Sequence, residues 1–254
     1  MKILFLGTSA GWPLPRLGCQ CEICVSSDPK DKRKRPVILI NEKILVDTGP
    51  DIYHQIIKHK VKTENLKDLI ITHAHLDHIL GFYDLTHVYN LKEKPNLYLT
   101  QETITRLRQV YKFPLNPFLP KIVRELETFK IDQINFSFIP VKHNRFPTWG
   151  LKIKGERLVC YFPDLKKLPP SQEKTCRDVH LLILDGSSLG RIGQAKNHEN
   201  IIEGIALGKK LKAKMVYFTH IGHKTGRHQN LEEFVQKKGG KNFHIAYDGL
   251  EVEI

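Results

Sequence analysis

The sequence predicts a single α/β domain in which two sheets are covered by helices on their outer faces. Three observations predict it. The chain has 254 residues, enough to bury a large core without staples. Apolar runs of strand length recur from end to end and alternate with helical patterns. No internal repeat and no low-complexity linker divides the chain.

Taken in order, residues 2–6 read as a strand followed by a Gly-Thr-Ser turn. Residues 9–35 carry Gly, Pro, three Cys and a basic run. They have no periodicity, so they form a long ordered loop or a separate small module; a loop of that length needs an organiser. Residues 37–40 and 43–46 make a hairpin across Asn41-Glu42, and Asp47-Thr48-Gly49-Pro50 ends its second strand. A helix runs through Ile52, Ile56 and Ile57. Residues 69–71 are a buried strand, and residues 79–88 are helical.

Residues 96–99 are a strand and 102–111 a helix; residues 113–120 hold three prolines and are expected to be irregular. Residues 134–141 alternate like a strand, and 150–154 with 157–162 form a hairpin across Gly155-Glu156. A strand at 179–184 precedes a helix at 198–211 that faces inward with Ile201, Ile205 and Leu211. A strand at 215–218 feeds Thr219-His220. A helix at 231–237 and two short strands close the chain.

Hydrophobic residues make up 41% and charged residues 26%, which suits a globular chain and argues against disorder. The net charge of +13 and pI near 9.5 fit anionic partners or a lysine-rich solubilising surface equally well. Only Lys30-Asp31-Lys32-Arg33-Lys34-Arg35 forms a local charged run. No apolar stretch approaches the ~18 residues of a membrane span, so no membrane partner is expected. The apolar start is too short for a signal segment. Five cysteines, an odd number, point to a reducing compartment, by default the cytoplasm.

The strongest chemical signal is His73-x-His75-x-Asp77-His78, between a buried strand and a helix. His73 and His75 alternate in an extended segment and can point the same way, while the turn into the helix brings Asp77 and His78 round on another side. Four donors so close in sequence cannot wrap one ion but can serve two ions side by side. Imidazole with carboxylate suits Zn, Mn or Fe.

This motif, with Asp47-Thr48-Gly49 at an upstream strand end, resembles the metallo-β-lactamase superfamily over nearly the whole chain. The resemblance implies an αββα sandwich of two mixed sheets, with one or two metals between the sheet edges. The later ligands would follow strands in order: His143, then Asp164, then His220. By this carry-over His73, His75 and His143 hold one metal, Asp77, His78 and His220 the second, and Asp164 bridges both. Asp47 would accept a hydrogen bond from a ligand histidine rather than bind metal.

Cys19-x-Cys21-x-x-Cys24 supplies three soft ligands where a structural zinc needs four; Cys160 and Cys176 do not suit the fourth place. Within the superfamily this cluster is similar to that of the PhnP-like phosphodiesterases. There the fourth ligand is a histidine three residues after the last catalytic histidine, a spacing matched by His220-Ile221-Gly222-His223. The resemblance therefore implies a structural zinc on Cys19, Cys21, Cys24 and His223 that orders the 9–35 loop.

The implied chemistry is hydrolysis of a small linear or cyclic phosphodiester. Two adjacent divalent ions, Mn or Zn with Fe admitted, lower the pKa of a water between them so that hydroxide exists near neutral pH. Asp77 and Asp164 hold that pair. His198 resembles the catalytic histidine of this group and would protonate the leaving group. An RNA 3′-processing nuclease of the tRNase Z type is the nearest alternative and fits the basic charge. A thioester hydrolase of the glyoxalase II type would not need the cysteines. A PqqB-like cofactor-biosynthesis protein shares the cysteines but departs from the histidine set kept here. A homodimer stays open. The aromatics Tyr111, Phe113 and Phe118 are as consistent with core as with a substrate entrance.

Overall fold

The computed structural model describes residues 1–88, 94–112, 117–190 and 197–254. The first half contributes β1 (Lys2–Gly7), β2 (Val37–Ile40), β3 (Ile44–Val46), α1 (Ile52–Lys58) and β4 (Asp68–Ile70). It continues with α2 (Leu76–Ile79), α3 (Phe82–Val88), β5 (Asn96–Leu99), α4 (Gln101–Val110) and β6 (Leu119–Ile122). The second half holds β7 (Thr128–Ile131), β8 (Ile134–Val141), β9 (Thr148–Lys154), β10 (Leu158–Phe162), α5 (Pro170–Thr175) and β11 (Leu181–Asp185). It ends with α6 (Ile201–Lys210), β12 (Met215–Thr219), α7 (His228–Gly239), β13 (Phe243–Ile245) and β14 (Glu251–Glu253).

These strands form two seven-stranded sheets, ordered β14-β1-β2-β3-β4-β5-β6 and β13-β12-β11-β10-β9-β8-β7. Both are mixed: β3 to β6 run parallel, as do β10 to β13, while the hairpins are antiparallel. Alternation along each strand explains the layers. Phe5, Ile38 and Val46 from one sheet meet Phe136, Leu151, Tyr161 and Ile183 from the other in a central core. The opposite faces pack on helices: Leu39, Leu69 and Leu97 against Ile52, Phe82 and Leu107, and Leu182 and Phe218 against Ile201, Leu231 and Val235. The result is the αββα sandwich the sequence predicts.

Three local expectations need correction. Residues 119 and 120, the end of the 113–120 segment expected to be irregular, lie in β6. It is an edge strand paired only with β5, where Pro120 can face outward and no ladder bond is lost. The helix expected over 79–88 is two helices broken at Leu80-Gly81. A Cβ at residue 81 would collide with the Gly49 carbonyl, so the chain passes there only as glycine. The helix expected from His198 begins at Ile201, because Asn200 and Glu203 form a capping box just before it. Strand β7 was not foreseen; it folds back on β8 across Asp132, which takes a left-handed φ of 51°.

The 9–35 loop has one short helical turn at Pro29–Asp31. Its basic run is not a solvated face. Arg33 is fully buried; its guanidinium donates to Thr8 Oγ1 at 2.8 Å and to the Ala246 carbonyl, and its Nη2 lies 3.1 Å from His228 Nδ1. Asp31 accepts from the His228 amide at 2.7 Å, and Arg35 pairs with Asp51 at 3.0 Å. The loop is thus pinned to the first turn of α7 by its own charges.

His228 is the pH-sensitive member of this pin. Burial, then the Arg33 charge, pushes its imidazole down to about 4, so the native state keeps it neutral where the unfolded chain protonates it near the usual value of about 6.5. Between these values the unfolded state binds more protons, so stability falls as pH drops. The expected loss from pH 7 to pH 4 is on the order of 2 kcal/mol at this near-surface ring. His228→Asn keeps an acceptor for Arg33 and should lose that share of the acid slope. Urea unfolding of both proteins at several pH values checks it, and equal slopes would refute it.

Candidate metal centre

The parallel strands of both sheets deliver polar residues to one edge. The chain leaves β4 extended through Thr72, His73 and Ala74 and enters α2 at His75, so His73 and His75 precede the helix while Asp77 and His78 lie in its first turn. His143 follows β8 by two residues and Asp164 follows β10 by two. Asp185 ends β11, and His220 follows β12 directly. Ligand sites in open α/β sheets form at such carboxyl ends. Two of the turns are backbone outliers: Asp47 and His220 take left-handed φ values of 65° and 57°. Strain of this kind persists where the surroundings over-determine it.

Asp164 is the hub. It is 2% exposed, and its Oδ2 lies 2.8 Å from His73 Nε2, 3.2 Å from His78 Nε2, 3.4 Å from His75 Nδ1 and 3.9 Å from His143 Nε2. Its Oδ1 lies 3.1 Å from His220 Nε2 and 3.6 Å from His198 Nδ1. Asp77 joins from α2, 3.3 Å from His220 Nε2 and 3.7 Å from His78 Nε2. Three groups of mutually close donor atoms result among the described residues: His73, His75 and Asp164; Asp77, His78, Asp164 and His220; and, toward the rim, Asp164, Asp185, His198 and His220. They share one carboxylate. His143 stands beside the first group.

The surrounding bonds aim these donors. Asp47 takes His78 Nδ1 at 2.8 Å, which turns His78 Nε2 toward the cluster, and Asp47 is itself held by the Thr72 amide and hydroxyl at 2.8 and 2.9 Å. Asn144 Nδ2 meets His75 Nε2 at 2.8 Å, which presents His75 Nδ1. A Cβ at residue 49 would lie 2.6 Å from the Asp77 carbonyl, so glycine there lets the β3 end close on α2.

The electrostatics suit a cation. Burial pushes His73 and His143 down to about 4, which keeps them neutral, as ligands must be. Burial would raise Asp77 and Asp164, but the facing imidazoles, His78 and His220 among them, hold both carboxyls well below the usual range. Burial opposes charge on His78 and His220, yet their carboxylates outweigh it and raise both. His78 Nε2 and Asp164 Oδ1 are buried without any hydrogen-bond partner. Such orphaned atoms are costly, and a bound cation would satisfy them. All donors are nitrogen or oxygen, a set that fits Zn, Mn or Fe.

His198 sits at the rim with its Nδ1 2.7 Å from Asp185 Oδ2. Burial lowers its basicity, but Asp185 and then Asp164 raise it to about 9. Asp185 is fully buried and accepts from the Ser187 and Leu165 amides at 2.8 and 3.1 Å. Sequence reasoning missed Asp185, although it too is an acid at the end of an apolar run, as Asp47 is. It also missed Asn144, for which no sequence signal exists.

Cys19, Cys21 and Cys24 gather as a separate donor group. His223 reaches it through its backbone: its carbonyl lies 3.8 Å from Cys21 Sγ, while its Nδ1 faces Arg16 Nη1 at 3.3 Å. The ring is not within the cluster of sulfurs. Burial pushes the Cys24 thiol up to about 11, and a bonded amide of Cys24 lowers Cys21. Cys160 and Cys176 lie elsewhere, fully buried in the core behind β10. Phe118 packs on Phe82 at 4.3 Å, and the Tyr111 hydroxyl donates to the Leu80 carbonyl at 2.7 Å, so both serve packing; Phe113 lies outside the described residues. No described helix is long and apolar enough to cross a membrane.

Residues 42–221 match the family described as the Beta-lactamase superfamily domain. An octanoyltransferase of Porphyromonas gingivalis is 27% identical over 266 residues, covering 100% of this chain and 52% of its own length. A ribonuclease Z of Macrococcus caseolyticus is 29% identical over 161 residues, covering 60% of this chain and 49% of its own. This chain spans about half the length of both relatives. Among solved structures, a diphosphatase of the PhnP family superposes with a TM-score of 0.86 at 27% identity, covering 100% of this chain and 96% of its own. Zn-bound PqqB from Methylobacterium extorquens superposes at 0.84 with 18% identity, covering both chains fully, a likeness of fold alone. The chain therefore belongs to the β-lactamase superfamily and has the αββα metallo-β-lactamase fold.

Proposed function

We propose that this chain is a metal-dependent hydrolase, a phosphodiesterase acting on a small linear or cyclic phosphodiester. The observation that carries the reading is the carboxylate of Asp164 shared by the donor groups of the centre, with His198 held at the rim by Asp185. His73, His75 and His143 would hold one divalent ion, Asp77, His78 and His220 the other, with Asp164 between them. Bound ions of this kind supply an activated water and offset charge on the phosphoryl oxygens. His198, kept protonated by Asp185, offers a proton to the departing alkoxide. Asp47 and Asn144 fix the ring nitrogens that His78 and His75 present. The similar PhnP-family structure, described as a diphosphatase, supports phosphoester chemistry.

Cys19, Cys21 and Cys24 would hold a third ion, a structural zinc, with His223 as fourth ligand after its ring turns from Arg16. Ribonuclease activity is the second reading. It is favoured by the +13 charge and by the ribonuclease Z relative, which matches over 60% of the chain. The octanoyltransferase name describes a chain about twice as long and brings no reaction to this one. The PqqB fold likeness is outweighed by the complete histidine set here.

Three outcomes are expected. His73→Ala and Asp164→Ala should each lower turnover of an aryl phosphodiester by at least about a thousandfold while the chain still folds; full turnover in either would sink the site. Asp185→Asn should cut kcat about ten- to a hundredfold on substrates with poor leaving groups and less on nitrophenyl esters, whose leaving group needs no proton. Equal losses on both would remove His198 as the donor. Metal analysis of Cys21→Ser should show one zinc fewer per chain, and unchanged zinc would remove the structural site. A parallel assay with pre-tRNA discriminates the ribonuclease reading.

A further inference from the structure

We propose that Lys166 is a positioning residue for His198: its ammonium clamps the His198 main chain to the segment after Asp164 and so keeps the ring aimed at the leaving group. The proposal rests on the phosphodiesterase reading above, which gives His198 that task. Ring and main chain of His198 are held by different groups. The ring has Asp185, whose Oδ2 lies 2.7 Å from its Nδ1. A ring held at one atom still swings with its own backbone. Residue 198 lies before the capped start of α6, outside the helical ladder. Lys166 Nζ donates to the His198 carbonyl at 3.2 Å. Among the described residues no backbone amide takes that carbonyl.

Lys166 is fixed at both ends. Its amide donates to the carbonyl of Lys142, the residue before His143, at 2.7 Å. Its Nζ also lies 3.6 Å from Glu203 Oε2, in the first turn of α6, and Glu203 closes the capping box with Asn200. The neighbouring Leu165 runs the same way. Its amide donates to Asp185 Oδ2 at 3.1 Å, and its carbonyl accepts from the Glu199 amide at 2.5 Å. The two residues after Asp164 therefore stitch together the segments that carry His143, Asp185 and His198. Any residue at position 165 makes its two backbone bonds, whereas the bond at 166 needs a cationic side chain of this length. The ion pair with Glu203 alone would contribute little, because both partners reach solvent. The bond to the carbonyl matters through aim: a shift on the order of 1 Å in a reacting group costs about a hundredfold in rate.

The test uses the full-length, zinc-loaded chain and two readouts. The first is the proton magnetic resonance of His198 Nδ1–H, assigned by its loss in His198→Gln. That proton should exchange with water at least about tenfold faster in Lys166→Met, and Lys166→Arg, which keeps a donor, should restore most of the protection. The second is turnover. Lys166→Met should lower kcat at least about tenfold on phenyl esters and less than about threefold on nitrophenyl esters, with KM unchanged. Glu203→Gln keeps the cap, since glutamine also closes the box, and should reproduce part of both effects; it carries the test if Lys166→Met does not fold. Unchanged proton exchange, or equal kinetic losses on both esters, would overturn the clamp. If Asp185→Asn loses activity selectively on the phenyl ester and Lys166→Met does not, the clamp falls and the phosphodiesterase reading stands. If the native chain turns over neither ester, that reading falls, and proton exchange alone decides the clamp.

Discussion

The structure depends on one buried carboxylate. Asp164 is almost wholly removed from water, and the nitrogens of six imidazoles lie within 3.9 Å of its oxygens. An uncompensated charge there would cost several kcal/mol, while each opposite charge near 3 Å returns up to about 5 kcal/mol at an effective dielectric of 20. The facing donors come from α2, from the segment after β4 and from the ends of β8 and β12. Those elements belong to both sheets, so satisfying Asp164 requires the sheets to meet at this edge. The remaining orphaned atoms show that the protein alone does not complete the arrangement.

The legibility of this centre in the sequence followed chain distance. His73 to His78 share one short segment, so their spacing alone displayed two directions of approach. His143, Asp164 and His220 are far apart, and each became readable only as a polar residue after an apolar strand, taken in a known order. Asp185 has the same form, an acid closing Leu181–Asp185 before Gly186, but no ligand role pointed to it. Its contact with the centre runs through His198, and such residues leave little mark in one sequence. Asn144 acts by a single amide at a loop tip, where any polar residue would look the same.

Fold reading failed where burial, not pattern, decides. The Thr128–Ile131 segment is only four residues long and alternates Thr128 and Lys130 outward with Phe129 and Ile131 inward; it is a strand because β8 offers an unpaired edge. Pro120 suggested irregularity, but an edge strand tolerates a missing donor. In the run from Lys30 to Arg35, six charged residues in sequence look like a solvated face. Asp31 and Arg33 are nevertheless fully buried, because Thr8, Ala246 and the start of α7 supply their partners. Ala246 and His228 lie 213 and 197 residues away from the groups they meet, beyond any local pattern.

The same contacts separate two roles that the sequence had merged in the 9–35 loop. The loop was expected to depend on its cysteines. Its near end instead hangs on the strand end that carries His220: the Ile221 amide donates to the Thr8 carbonyl at 2.7 Å and the Ala10 amide to the Ile221 carbonyl at 3.0 Å. This seats Gly11, where a Cβ would lie 3.5 Å from Asp77 Oδ2. The far return of the loop is held by Asp31 and Arg33. The segment between, with Cys19, Cys21, Cys24 and a small apolar cluster of Leu14 and Ile23, has ties of its own: Leu14 and Arg33 exchange backbone bonds at 2.8 and 2.9 Å, and the Glu22 carbonyl accepts from Arg227 Nε at 3.3 Å. An ion bound by the sulfurs would add to these ties, while the Asp164 cluster is held by bonds that do not pass through the sulfurs.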